Sequence, residues 1–132
     1  DLPAVAARLM KTNPRIPPDF AHWLAPHWAE QGADDQWRIL GEAAHKIINP
    51  VLFRQEEVEA CYRAITCPVL TLLAEENRLH EWEGGGYSLA DYLQRLTHLA
   101  DNRVQTIAQA GHMLHHDQAA EVARQVRAFL LD

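Results

Sequence analysis

One histidine stands out by its neighbours. His112 follows Ala110-Gly111, shortly after a stretch of strand length, Arg103 to Ala108. A histidine on a tight glycine turn at the C-terminal end of a parallel strand stands where α/β folds place ligands and catalysis. His115, His116 and Asp117 come directly after it. Imidazole and carboxylate are zinc-ligand types, but adjacent histidines are expected to point in different directions, and a structural site needs four ligands closed around the ion. No metal and no cofactor is therefore expected. Ser88 is the single serine of the chain, so any serine-nucleophile chemistry depends on it. With Asp91 three residues on, at the head of an apolar-periodic stretch, Ser88 reads as an N-capping box with Asp in place of the usual Glu. Trp23, Trp28, Trp37 and Trp82 are suited to lining an apolar substrate pocket, or else to a core or a surface awaiting a partner. Arg38, Lys46 and Arg54 are suited to an anionic substrate group, with solvated surface charge the blander alternative.

The elements that must position these residues fall into two halves. The first is helical and punctuated by proline. Leu2 to Lys11 carries Val5, Leu9 and Met10 at helical spacing and stops at Asn13-Pro14. Asp19 is the expected N-cap of a helix from about Phe20 to Glu30, which Pro26 should kink or split. Gln31 to Asp35 reads as a polar loop, Trp37 to Lys46 as irregular or short helical structure, and Asn49-Pro50 as a turn. Gln55 to Ile65 is an expected helix with acids early and Arg63 late. In the second half, Pro68 to Ala74 is a continuous apolar run, the mark of a strand buried on both faces of a parallel sheet. A polar loop from Glu75 to Gly86, a helix from Ser88 to Leu99, the strand Arg103 to Ala108 and a helix from Gln118 to Leu131 complete a βαβα unit, which should be parallel. The expected organisation is a single domain over 1–132: a helical cap-like segment over 1–54, then a helix and the βαβα unit over 55–132.

Composition narrows the function classes. The 132 residues are 48% hydrophobic, enough for a real core. The net charge of −6 offers no basic stripe for phosphates, so nucleic acid is not an expected partner. No apolar run approaches the roughly 20 residues of a membrane span. Cys61 and Cys67 form no disulfide framework, which favours a reduced, cytoplasmic setting. The start at Asp1-Leu2-Pro3 carries no signal-peptide pattern and suggests a processed product or an excised piece.

Two segments resemble the C-terminal portion of an α/β-hydrolase: Cys67-Pro68-Val69-Leu70-Thr71-Leu72-Leu73-Ala74-Glu75-Glu76-Asn77, and Val104 to Ala110 running into Gly111-His112-Met113-Leu114-His115-His116. Upstream, Trp37-Arg38, His45-Lys46, Asn49-Pro50 and Phe53-Arg54 resemble the cap and return segment of one bacterial branch of that family. The resemblance implies a partial α/β-hydrolase fold and places His112 at the general-base position, taking a proton from serine and returning it to the leaving group. It also implies an orienting acid three residues beyond the small residue that ends the penultimate strand. That position is Asn77, a neutral amide, so Glu76 or Glu75 is the expected substitute, with solvated loop glutamates as the alternative. The family's nucleophile elbow, Gly-x-Ser-x-Gly on a strand-to-helix turn, is matched only loosely by Gly86-Tyr87-Ser88-Leu89-Ala90. No apolar strand precedes it, and the chain order is wrong.

The resemblance therefore implies a hydrolase portion without its nucleophile, inactive alone, with ester or C–C bond hydrolysis as the ancestral chemistry. The alternatives are a subunit of a split serine hydrolase supplying His112, and a non-enzymatic small-molecule or interaction module using the tryptophans. The strand Val69 to Ala74 would present an open apolar edge. The expected partners are accordingly a second copy, in a dimer that completes the sheet, or a chain carrying the nucleophile half, with an apolar small molecule as a further candidate.

Overall fold

Prolines mark where the first two helices begin. In the computed structural model, which describes residues 1–78 and 88–132, α1 spans Leu2–Thr12 with Pro3 in its first turn. The Asp1 carboxylate caps it by accepting from the Ala4 N–H at 2.9 Å. Helix α2 spans Pro18–Trp28. Asp19 is not its N-cap: Pro17 holds that place in extended geometry, and Asp19 lies in the first turn. Pro18 needs no N–H partner and is preset for a first helical position, while the acid next to it suits the positive end of the helix. Pro26 neither splits nor ends α2. It falls in the last turn, where the hydrogen bond it removes is one of few remaining.

The chain divides into two units, Asp1–Leu52 and Phe53–Asp132. In the first, α1 and α2 bury Val5, Ala6, Leu9, Ile16, Ala21, Leu24, Ala25 and Ala29. Ala6 and Ala21 are wholly enclosed, so small residues let the helices approach closely. An antiparallel hairpin follows, β1 (Ala29–Gln31) with β2 (Trp37–Ile39), in a register that pairs Ala29 with Ile39 and Gln31 with Trp37. Its first strand takes up the end of the helix expected to run to about Glu30 and the start of the expected polar loop, and its second lies where irregular or short helical structure was expected. Asp35 adopts a left-handed φ of 58° in its turn. A short 3-10 turn over Ala43–Lys46 comes next, and Leu40, Ile47, Ile48, Val51 and Leu52 are exposed.

The second unit runs α3 (Gln55–Ala64), β3 (Val69–Ala74), α4 (Leu89–Leu96), β4 (Asn102–Ile107), α5 (Leu114–Asp117) and α6 (Ala119–Leu131). Strands β3 and β4 pair in parallel with Val69 opposite Asn102 and Ala74 opposite Ile107, as the βαβα reading requires. Its core is small: Ala74, Ile107 and Ala110 are buried, with Leu72, Leu114 and Val122 packed against them. The strand expected to be buried on both faces is half-buried from Val69 to Leu73 and buried only at Ala74, because among the described residues it has one strand neighbour. Val126 and Leu130 on α6 are exposed as well. No helix among the described residues is long and apolar enough to cross a membrane.

Candidate functional site

Parallel pairing brings the C-terminal ends of β3 and β4 to one edge. The ladder continues one step beyond the strands, with the Glu75 N–H donating to the Ile107 carbonyl at 2.9 Å and the Glu76 N–H to the Ala110 carbonyl at 3.0 Å. The chain leaving β4 then turns sharply. Gln109 takes a left-handed φ of 53°, Ala110 is fully enclosed, and His112 emerges exposed in the turn before α5.

Carboxylates hold this turn from two sides. Glu75 Oε2 accepts from the Gln109 N–H at 2.8 Å, and Asp117 Oδ2 accepts from the Gly111 N–H at 2.8 Å. Gln118 Nε2 donates to the Gln109 carbonyl at 3.3 Å. The two adjacent histidines do not diverge: the His115 and His116 rings lie 4.3 Å apart, tilted by 59°. Partial burial, followed by the charge of His115, lowers the His116 pKa against the opposing pull of Asp117. Among the described residues no group of three or more His, Cys, Asp or Glu side chains is arranged to hold a metal ion.

The other candidates fall as follows. Glu75 and Glu76 are both exposed and share the sheet edge with the His112 turn, where the Glu75 carboxylate accepts from the Gln109 N–H and the Glu76 N–H donates to the Ala110 carbonyl. Asn77, at the family's acid position, donates its side-chain N–H to the Ala74 carbonyl at 3.4 Å. Ser88 is the N-cap of α4: its hydroxyl accepts from the Asp91 N–H at 3.1 Å and donates to Asp91 Oδ2 at 2.5 Å. Asp91 returns a contact to the Ser88 N–H, completing the capping box. The Ser88 hydroxyl and then its backbone lower the Asp91 pKa. Gly86 and Tyr87 of the loosely matched elbow, and Trp82, lie outside the described residues. Trp23, Trp28 and Trp37 belong to the first unit. Trp23 is 60% exposed and stacks on Phe20 at 5.5 Å, Trp28 is exposed, and Trp37 packs half-buried against the α1–α2 core. Arg38 is paired to Asp34, and Arg54 approaches Glu57 at 3.7 Å.

Sequence reasoning missed the Asp117 contact, and it missed a polar pocket of about 120 Å³ lined by Gln55, Glu59, Asp91, Gln94, Arg95 and His98. The pocket joins two helices through Arg95 Nη2 donating to Gln55 Oε1 at 3.3 Å. Its only trace in the sequence is two polar helix faces with i,i+4 spacing, such as Gln55 with Glu59.

The fold is that of an α/β-hydrolase, present in part. The solved structures it matches include the crystal structure of E-2-(acetamidomethylene)succinate hydrolase, at 21% identity and a TM-score of 0.74. Another is the thioesterase domain from the curacin biosynthetic pathway, at 18% identity and a TM-score of 0.75. The first match covers 100% of this chain and 46% of that one, the second 97% and 43%. The chain thus spans less than half the length of these structures. No protein-family model and no curated protein sequence matches the chain.

Proposed function

We propose that this chain is the histidine-bearing, cap-like portion of an α/β-hydrolase and does not hydrolyse substrate by itself. The observation that carries this reading is the hydroxyl of Ser88. It is engaged with Asp91 at the start of α4, so the only serine of the chain serves a helix end, where an amide N–H needs a partner. Ester or C–C bond hydrolysis is the chemistry the fold likeness suggests. The test is intact-mass spectrometry of the pure chain after treatment with a fluorophosphonate probe. No adduct is expected. An adduct on Ser88 that disappears in His112→Ala would overturn the proposal.

A second reading has its own support. The His112 turn is firmly built, and among the described residues β3 is half-buried beside a single strand. Both suit a chain that presents His112 to a nucleophile on another polypeptide. His112 would then move the proton between serine and leaving group. Glu76 or Glu75 would supply the orienting acid, and the Glu75 carboxylate accepts from the Gln109 N–H as well. Alternatively, two copies associate through the β3 edge. Sedimentation at high micromolar concentration separates these: a dimer supports pairing between copies, and a clean monomer rejects it.

A further inference from the structure

We infer that Asp117 and Glu75 are positioning residues, a pair of carboxylates that clamp the backbone on either side of Ala110 and so aim His112. The inference rests on the reading of His112 as the histidine of a hydrolase site. Strand β4 ends at Ile107, so the N–H groups of Gln109 and Gly111 fall beyond the ladder and need acceptors of their own. Each finds a carboxylate oxygen at 2.8 Å, and hydrogen bonds to a charged acceptor are about twice as strong as neutral ones. The two acids come from different elements: Glu75 follows β3, and Asp117 closes α5. The clamp therefore ties both flanks of the turn together.

Two carbonyls of the turn are held as well. The Gln109 carbonyl accepts from Gln118 and the Ala110 carbonyl from the Glu76 N–H, while the Ala110 side chain is sealed in the core. Gln109 is left-handed without being glycine, a conformation that persists only where the surroundings impose it. His112 is the next side chain after this sequence of fixed peptides, so its direction is inherited from them. The Glu75 carboxylate thereby has a task other than orienting the imidazole.

The test is NMR on the full chain. In the unaltered protein, a scalar coupling through the hydrogen bond should connect the Gly111 amide nitrogen to the Asp117 side-chain carbon, and its absence overturns the inference. In Asp117→Ala the Gly111 amide should exchange about tenfold faster or more, with the Val69–Ala74 amides unchanged and the His112 ring signals shifted. Asp117→Asn keeps an acceptor oxygen and should restore both. Glu75→Ala and Glu75→Gln should do the same at Gln109. Faster exchange at Gly111 with unmoved His112 ring signals would also overturn the inference, since the clamp would then exist without aiming the histidine. None of these readouts requires hydrolysis, so a failure of the proposed function leaves them standing.

Discussion

Replacing Ile107 by alanine should cost the second unit about 3 kcal/mol. Ile107 is 1% exposed and is the large side chain most completely enclosed among the described residues. The substitution removes three carbons, each worth about 0.8 kcal/mol on transfer from water, or roughly 2.4 kcal/mol together. The hole left behind adds to this, because its buried neighbours are Ala74 and Ala110, which have no side-chain length with which to fill it. About 3 kcal/mol is roughly two orders of magnitude in the folding equilibrium. Val104→Ala on the same strand is the control: Val104 is 39% exposed and its truncation should cost under about 1 kcal/mol. Urea unfolding followed by amide NMR is the assay, since cross-peaks of the second unit are read separately, whereas tryptophan fluorescence mixes in Trp23, Trp28 and Trp37. If Ile107→Ala is not folded in buffer, Ile107→Val, at about 1 kcal/mol, takes its place. Equal losses at positions 107 and 104 would refute the view that this cluster anchors the sheet.

Four further outcomes are expected. Ala21→Leu, at a wholly enclosed contact of α1 with α2, should destabilise the first unit by about 1–3 kcal/mol through overpacking, seen as a lower melting temperature. Ser88→Ala should fray α4 and speed exchange of the Asp91 amide, whereas Ser88→Asn, also a good N-cap, should largely preserve it. Arg124, with Gln125, holds the Glu121 pKa at about 2, below its ordinary 4.5. A depressed carboxylate contributes stability above its unfolded value that is lost as pH falls to the folded one. Helix α6 should therefore weaken between about pH 4.5 and 2, modestly, since the pair is exposed and screened by salt. Carbon-13 NMR should show Glu121 returning toward its ordinary range in Arg124→Gln, and an unchanged titration would contradict this. Cys61 and Cys67 are both free and exposed, so a thiol reagent should label both without denaturant.

What could be read from the sequence was what carries a period or a cap. The apolar run ending at Ala74 and the strand-length stretch Arg103 to Ala108 before the glycine turn located both parallel strands to within a residue or two, and Ser88 with Asp91 announced the start of α4. The hairpin of Ala29–Gln31 and Trp37–Ile39 stayed hidden because three-residue strands are too short to show alternation. Asp19 looked like a cap by composition, but the two prolines before it supply a better helix start. At the candidate site, the strand, the glycine and His112 were legible. The contact of Asp117 with Gly111 was not, because it depends on α5 folding back over a turn whose left-handed residue is Gln109, not glycine.

The parallel register has a consequence for how the molecule folds. Val69 pairs with Asn102, about 33 residues away, and closing a loop of that length costs on the order of 3 kcal/mol of chain entropy before the ladder returns anything. Helices α1 and α2, by contrast, meet across a short turn and can dock almost as soon as they form. The sheet should therefore be the slow step, with the capped helix α4 forming first and shortening the search. Until β4 arrives, β3 has no strand from the described residues beside it, and that interval is when two chains most readily pair with each other.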